Sequence, residues 1–178
     1  MENQKTKTLV LIGMMTAVIC VLGPLSIAIP FSPVPISFTN LAIYFTAAIL
    51  GWKRGTVSCL LYLLIGFMGV PVFSNFSAGP AKLLGPTGGY LIGFVFMALI
   101  TGFAADRFKN KIHMNIIGMA IGTLVTYAMG TIWLAYQLDL SFKAALFAGV
   151  IPYIAIDGIK IIIAAVNAPI IRKRIERI

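Results

Sequence analysis

Six blocks of apolar residues, separated by short segments rich in proline, glycine or charge, constrain the fold of this chain more than any other feature. The blocks lie at about 8–29, 37–50, 55–71, 86–105, 112–137 and 142–171. Hydrophobic residues make up 60% of the chain and charged residues only 11%, about half the fraction usual in soluble domains. Because a helix needs about 20 apolar residues to cross a bilayer, the pattern predicts one all-α membrane domain over residues 1–178.

The positively charged residues predict how the six helices are oriented. If the N-terminus is cytoplasmic and the helices alternate, most of the 14 Lys and Arg residues fall on the cytoplasmic side. Only Lys82 and Lys143 then lie outside, and Lys160 lies within a span. Cytoplasmic loops are enriched in Lys and Arg, so we expect six transmembrane helices with both termini in the cytoplasm. The same bias accounts for the net charge of +9 next to anionic lipids, and no nucleic-acid partner is predicted.

Two connections on the outer side, and a proline in the last block, carry further information. The segment IPFSPVPISFTN, 29–40, contains three prolines and is predicted to be extended. The connection 70–90 is long enough for a functional loop, such as a lid. Pro152 divides the last block and favours a first helical turn, so we expect a short helix at about 141–149 and a spanning helix after it.

Small residues recur at four-residue spacing on several of the predicted helices. The longest series is Gly118, Gly122, Thr126 and Gly130. This spacing places small side chains on one helix face, where helices can approach closely. Packing within the bundle is the interpretation we favour from spacing alone, and docking to another membrane subunit is the alternative.

Asp157 and Lys160 are charged residues inside an otherwise apolar block. A charge at the centre of a membrane helix costs about 2.5–3.5 kcal/mol on insertion scales, so such residues normally face a cavity or a partner. Their three-residue separation places them on one helix face, in the outer third of the span. Two hypotheses follow: an ion pair that neutralises itself, or two complementary groups that hold a polar ligand in a pocket that opens outward.

Other chemistries find little support in the sequence. Apart from His113, which lies beside a polar link at the edge of its block, the other spans contain no acid or histidine from which a proton relay could be built. We find no set of nucleophile, base and orienting residue, no metal-binding cluster and no ATP-binding motif. The chain is therefore not expected to be an enzyme or to hold a metal or cofactor, and uphill transport would require a partner that supplies energy.

Four segments together resemble one known family of membrane proteins. They are PVPISFTNLAIYFTAAILG, LLYLLIGFMGVPVF, LLGPTGGYLIGF and AGVIPYIAIDGIKIIIAA. The chain is similar over nearly its whole length to the BioY-type biotin transporters, which are substrate-binding (S) subunits of energy-coupling factor (ECF) transporters. The resemblance implies capture of biotin from outside a prokaryotic cell. It also implies partnership in the plasma membrane with a transmembrane coupling (T) subunit and two cytoplasmic ATPases.

The resemblance also implies roles for particular residues. Asp157, Lys160 and Asn75 match the family's biotin-contacting residues. Polar residues of the Pro-rich loop, the second helix and the GPTGGY segment are further implied contacts: Thr39, Asn40 and Tyr90. Gly13 and Ala17 match the face of the first helix that docks against the coupling subunit.

One segment departs from the family pattern beside the expected pocket. Family members commonly carry a Gln-Thr pair after PVPITL, whereas this chain reads Ser37-Phe38-Thr39-Asn40. Lipoate, which is also a sulfur-containing cofactor with a carboxylate tail, therefore stays open as an alternative ligand. An autonomous ion-coupled carrier and a purely structural membrane subunit are hypotheses from other classes.

Overall fold

The fold is built from α-helices and one small sheet. The computed structural model describes residues 2–30 and 32–177, with the side chains of 4–30 and 32–175. Within these residues the elements in chain order are α1 (Glu2–Leu22), β1 (Ser26–Ile29), β2 (Ser32–Ser37), α2 (Thr39–Phe67), α3 (Pro80–Leu84), α4 (Gly88–Arg107), α5 (Ile112–Gln137), α6 (Phe142–Gly149) and α7 (Ile154–Arg177). Two short 3-10 turns, Ser74–Phe76 and Ile151–Tyr153, precede α3 and α7.

Five helical segments within the described residues are long and apolar enough to cross a membrane. They are Gln4–Leu22, Thr39–Phe67, Gly88–Arg107, Ile112–Gln137 and Phe142–Ile175. Many large apolar side chains on these helices point away from the protein interior, for example Leu9 on α1 and Leu124 on α5. In a bilayer such side chains face lipid, and the predicted all-α membrane fold is confirmed.

Helix α2 contains two of the predicted apolar blocks, and the chain reverses between them. Gly51 has φ +81° and ψ 177°, a conformation that is nearly exclusive to glycine. A Cβ atom on Gly55 would lie only 2.8 Å from the Cα of Ala47. In a continuous helix these two positions would be about 12 Å apart along the axis. The two halves of α2 therefore pack back to back as a hairpin, which fits the two separate blocks seen in the sequence.

The end of the first predicted block differs from the structure. The sequence predicted one helix over 8–29, but α1 ends at Leu22 and residues Ser26–Ile29 form β1. Pro24 explains the break, because a proline disfavours helical geometry in the residue before it. Strand β1 pairs antiparallel with β2, with Ser26 opposite Ser37. The extended conformation predicted for the Pro-rich segment is confirmed by β2, whose prolines are tolerated because each strand of a two-stranded sheet is an edge.

Close packing of α4 on α5 explains the regularly spaced small residues. A Cβ atom on Gly118 would lie 2.4 Å from the Cβ of Ala104 on α4. A Cβ atom on Gly93 of α4 would lie 2.9 Å from the Cα of Thr126. Larger side chains at these positions would force the two helices apart. The predicted role of the series in packing the bundle is therefore confirmed.

The end of the chain follows the prediction from Pro152. Helix α6 covers Phe142–Gly149, and its N-cap Ser141 accepts a hydrogen bond from the N–H of Ala144. A 3-10 turn containing Pro152 leads into α7, which begins at Ile154. This arrangement places Asp157 in the first turn of the last helix.

The molecule has two chemically different ends. At what we call the termini end, residues from the start of α1, the turn of α2 and the end of α7 line a common cavity: Gln4, Lys7, Leu50, Arg54 and Arg172. At the opposite end, the loop end, lie the β1–β2 hairpin, α3 and α6. Most of the positive charge is at the termini end, as the positive-inside pattern requires; its cytoplasmic location remains a prediction.

Candidate functional site

The two charges of α7 form a buried ion pair near the loop end. The Nζ atom of Lys160 lies 3.0 Å from Oδ1 of Asp157. Each residue is only 6% exposed. Both side chains therefore share one face of the helix, as their spacing predicted.

Asn40 connects this pair to the second helix. Its Nδ2 donates to Oδ1 of Asp157 at 2.6 Å, and its Oδ1 accepts from Nζ of Lys160 at 3.0 Å. Asn40 lies in the first turn of α2, directly after β2, so the hairpin and the helix together fix its position. Lys160 also donates to the carbonyl of Ser37 at the end of β2, at 2.7 Å. Two segments that are distant in sequence thus meet at one polar cluster.

Tyr127 completes the cluster from α5. Its hydroxyl donates to Oδ2 of Asp157 at 2.7 Å. Sequence reasoning missed this residue, although a phenol inside an apolar block, next to the closely packed Thr126, was an available signal. We refer to Asp157, Lys160, Asn40 and Tyr127 together as the polar cluster.

A small cavity adjoins the polar cluster. Its volume is about 70 Å³. Apolar and aromatic side chains provide most of its other walls: Val34, Pro35, Tyr90, Phe94, Met97 and Tyr153. Apolar walls with a few placed polar groups are typical of small-molecule sites.

Tyr90 was predicted from the GPTGGY segment and does line this cavity. It lies near the start of α4, where its hydroxyl donates to the carbonyl of Gly149 at 3.1 Å. Its ring packs so closely on α5 that a Cβ atom on Gly130 would lie 2.3 Å from it. Tyr90 is therefore held by α5 and α6 with its side chain at the cavity wall.

Thr39 lies one position before Asn40 but does not contact the ion pair. It lines a second cavity of about 50 Å³, together with Ser74 and Thr87. Its hydroxyl pairs with Oγ of Ser37 and lies 3.4 Å from the carbonyl of Gly23. The two cavities share Val34, Pro35, Ser37, Tyr90 and Phe94, so Thr39 is at the edge of the same region.

Asn75 lies apart from the polar cluster. It is exposed, with φ +59°, and does not line either of the two cavities. The Oγ of Ser26 donates to its Oδ1 at 2.7 Å, and its own N–H donates to that Oγ at 2.8 Å. The structure thus joins Asn75 to β1, and its contact with a ligand stays a prediction.

The β1–β2 hairpin covers the cavity at the loop end. Tyr153 donates to Oγ of Ser32 at 2.9 Å and also contacts the carbonyl of Val34. Ser32 in turn donates to the carbonyl of Ala148 on α6 at 2.7 Å. These hydrogen bonds hold β2 against the segment that leads into α7.

Gly13 and Ala17 lie away from this site, on α1. Both are exposed, and a Cβ atom added to Gly13 would meet no other atom within 4 Å. The small residues of α4 and α5 pack on each other, whereas this pair faces outward.

The fold is that of a helical membrane protein. It encloses a cluster of acid, base, amide and phenol beneath a surface hairpin, and these features define the class of membrane proteins that bind small polar molecules within the bilayer. Comparison with known proteins identifies it more closely. The sequence model of the BioY family matches residues 1–177. The chain therefore belongs to the BioY family.

Individual relatives agree over nearly the full length. The chain is 36% identical over 166 residues to the biotin transporter BioY2 of Lactococcus lactis, covering 93% of this chain and 90% of that protein. It is also 36% identical over 172 residues to the biotin transporter BioY of Thermotoga maritima, covering 96% and 99%. A solved structure of the S-component for biotin from an ECF-type ABC transporter matches with a TM-score of 0.90 and 34% identity. That match covers 97% of this chain and 94% of the solved one.

Proposed function

We propose that this protein binds biotin at the polar cluster and is the substrate-binding subunit of an ATP-driven ECF uptake transporter. The observation that carries the proposal is the buried cluster of Asp157, Lys160 and Asn40, in a chain whose relatives are named biotin transporters. A charge pair that only neutralised itself would give no reason for the apolar and aromatic cavity beside it.

The hydrogen bonds of the cluster indicate how a ligand would bind. A carboxylate can accept about four hydrogen bonds. Asp157 accepts two at Oδ1, from Asn40 and Lys160, and one at Oδ2, from Tyr127. Within the described residues, one acceptor position on Oδ2 is therefore open to an N–H donor, such as those of the ureido group of biotin.

Lys160 is in the opposite situation. Its ammonium has three N–H donors, and these meet Asp157, Asn40 and the carbonyl of Ser37. A ligand oxygen can reach Lys160 only by replacing one of these acceptors. We expect an N–H donor of the ligand to bind Asp157 without breaking any hydrogen bond of the cluster. An acceptor of the ligand that binds Lys160 is expected to replace one of the three acceptors that Lys160 now meets.

Ligand entry must also widen the site. The cavity of about 70 Å³ is well below the roughly 300 Å³ of the smallest usual ligand pockets. The hairpin is joined to α6 and to the segment leading into α7 by side-chain hydrogen bonds of Ser32 and Tyr153, and to α7 itself by Lys160. We infer that it separates from α6 and α7 when the ligand enters from the loop end.

The proposed partners are a transmembrane coupling subunit and two cytoplasmic ATPases. The matched structure is the S-component for biotin of an ECF-type ABC transporter, and the exposed Gly13–Ala17 face offers a surface for close helix contact. In this proposal the partner ATPases hydrolyse ATP, and the described residues of this chain take no part in that reaction.

Isothermal titration of the detergent-purified protein with biotin, followed by lipoate, tests the proposal. We expect saturable, nanomolar biotin binding without ATP. Lipoate binding in the absence of biotin binding would keep the site but assign the difference in specificity to Ser37–Asn40. No heat with either ligand would contradict the proposal. Uptake by liposomes containing this chain alone, driven by an ion gradient, would instead support an autonomous carrier.

A further inference from the structure

A second large cavity lies at the termini end, far from the polar cluster. Its volume is about 810 Å³. It lies between the α4–α5 connection and the last turns of α7. Asp157 and Lys173, at opposite ends of α7, are roughly 24 Å apart along the helix axis, so this cavity is separate from the proposed biotin site.

Positive charge dominates the lining of this cavity. Lys109 and Lys111 come from the α4–α5 connection, and Lys173 comes from α7. The acid in the lining, Asp106, is already engaged: it pairs with Arg172 at 2.8 Å and accepts from the N–H of Trp52 at 3.0 Å. Among the side chains at 4–30 and 32–175, none places a carboxylate oxygen within 4.0 Å of the three lysines. Their charges converge on one concave space without a counter-ion from these residues.

Apolar residues form the other part of the same lining. They are Ile112, Val166, Pro169 and Ile170. The exposed fractions of Ile112, Val166 and Ile170 are 49%, 43% and 51%, and Val166 and Ile170 belong to a candidate membrane span. The basic residues therefore lie just beyond the apolar ones, where a membrane-spanning helix leaves the hydrocarbon region.

We propose that this cavity binds an anionic phospholipid, with its phosphate between Lys109, Lys111 and Lys173 and an acyl chain along Val166 and Ile170. The three ammonium groups supply the charge complement of a phosphate-bearing head group. A soluble phosphate would use only the basic half of the lining. The apolar half, continuous with the lipid-facing surface of α7, is what selects a lipid over a free anion or an acidic protein segment.

The test measures binding of dioctanoyl phosphatidylglycerol to the full-length purified protein by native mass spectrometry. The pocket variant is K109Q/K111Q/K173Q. The matched control, K5Q/K53Q/R174Q, removes the same number of charges from exposed residues outside the cavity. We expect wild type and control to bind alike, the pocket variant at least tenfold more weakly, and dioctanoyl phosphatidylcholine at least tenfold more weakly than the anionic lipid.

Several results would overturn the proposal. Equal weakening in both triple variants would show that only overall charge matters. Equally tight binding of glycerol phosphate would assign the cavity to a soluble anion. If wild type does not bind the anionic lipid, the lipid proposal is wrong, and an acidic protein segment becomes the alternative occupant of the cavity. If thermal unfolding shows that the pocket variant is misfolded, K109Q and K173Q replace it; each is expected to bind about threefold more weakly, and unchanged binding in both would also refute the proposal.

Discussion

Asn40 and Asp157 are 117 positions apart in the chain, yet Nδ2 of one lies 2.6 Å from Oδ1 of the other. This hydrogen bond ties the start of α2 to the start of α7 beneath the hairpin. The segment that departs from the family pattern, Ser37–Asn40, thus reaches the polar cluster through its last residue and through the carbonyl of its first. In the proposed site, specificity is therefore tied to the same atoms that hold the charges of the polar cluster.

Replacing Asn40 with Ala is expected to weaken biotin binding more than tenfold. The change removes a donor from Asp157 and an acceptor from Lys160, and a hydrogen bond to a charged group contributes about 1.5–3 kcal/mol. Titration calorimetry measures the effect. Asn167→Ala is the control, because Asn167 is exposed and donates to the carbonyl of Ile163 within its own helix, α7. An unchanged affinity in Asn40→Ala would remove this residue from the site.

Asp157→Ala and Lys160→Ala are each expected to weaken biotin binding at least tenfold. Each change removes a charged partner, and a loss above about 1.4 kcal/mol corresponds to that factor. Normal binding by both variants would place the biotin site elsewhere.

Apolar replacements of Asp157 and Lys160 should affect the thermal stability of the protein less when both are replaced than when one is. Breaking a buried ion pair on one side costs about 3–5 kcal/mol, whereas replacing both charges with apolar groups is often neutral. D157L/K160M should therefore unfold at a higher temperature than D157L or K160M alone. A double variant as unstable as the sum of the single variants would mean that the two charges do not interact.

Tyr127→Phe should weaken binding at least tenfold while leaving the fold intact. The substitution deletes the hydroxyl that donates to Oδ2 of the Asp157 carboxylate, a contribution of about 1.5–3 kcal/mol for a hydrogen bond to a charged group, and keeps the ring. Tyr136→Phe on the same helix is the control, because Tyr136 is 81% exposed. Equal affinities for the two variants would show that Tyr127 does not position the carboxylate.

Gly51→Ala is expected to destabilise the protein at least twice as much as Gly69→Ala. Both glycines have positive φ, +81° and +102°, so both variants incur a backbone cost of about 1–2 kcal/mol. Only at Gly51 would the added Cβ also meet a neighbour, Oδ2 of Asp106, at 2.3 Å. Unfolding by sodium dodecyl sulfate in mixed micelles compares the two, and equal destabilisation would argue against the tight turn.

Gly13→Leu and Ala17→Leu should reduce recovery of the coupling subunit in a pull-down and leave biotin affinity unchanged. Bulky side chains on this exposed face would hold a partner helix away, and a Cβ atom added at Gly13 meets no other atom within 4 Å. Ala128→Leu places the same bulk on the exposed face of α5 and serves as the control. Undiminished recovery of the partner with both α1 variants would assign docking to another surface.

The sequence predicted the parts of this molecule that depend on local chemistry. Apolar blocks predicted the helices because a bilayer enforces backbone hydrogen bonding within each span. The unusual charges of Asp157 and Lys160 marked the polar cluster, since their presence in a span requires a polar environment. Pro152 indicated where the last block divides into a short helix and the spanning helix.

The features that sequence reasoning missed depend on tertiary contacts. Tyr127 joins the cluster only because α5 packs beside α7, and a lone tyrosine in an apolar block does not reveal its neighbour. The end of α1 was misplaced because apolar content continues through Ser26–Ile29 while the hydrogen bonding changes from helix to strand. Asn75 was assigned through family resemblance, and its bonds to Ser26 depend on how two loops meet.

The position of the charge pair on α7 also affects how the protein is made. Asn40 and Tyr127 are synthesised before Asp157 and Lys160, which follow every helix they contact in chain order. While the ribosome is still translating α7, Asn40 and Tyr127 have already been synthesised without the two charged residues to which they bond. The polar cluster therefore forms only once α7 has been synthesised, and a chain arrested before that point lacks it.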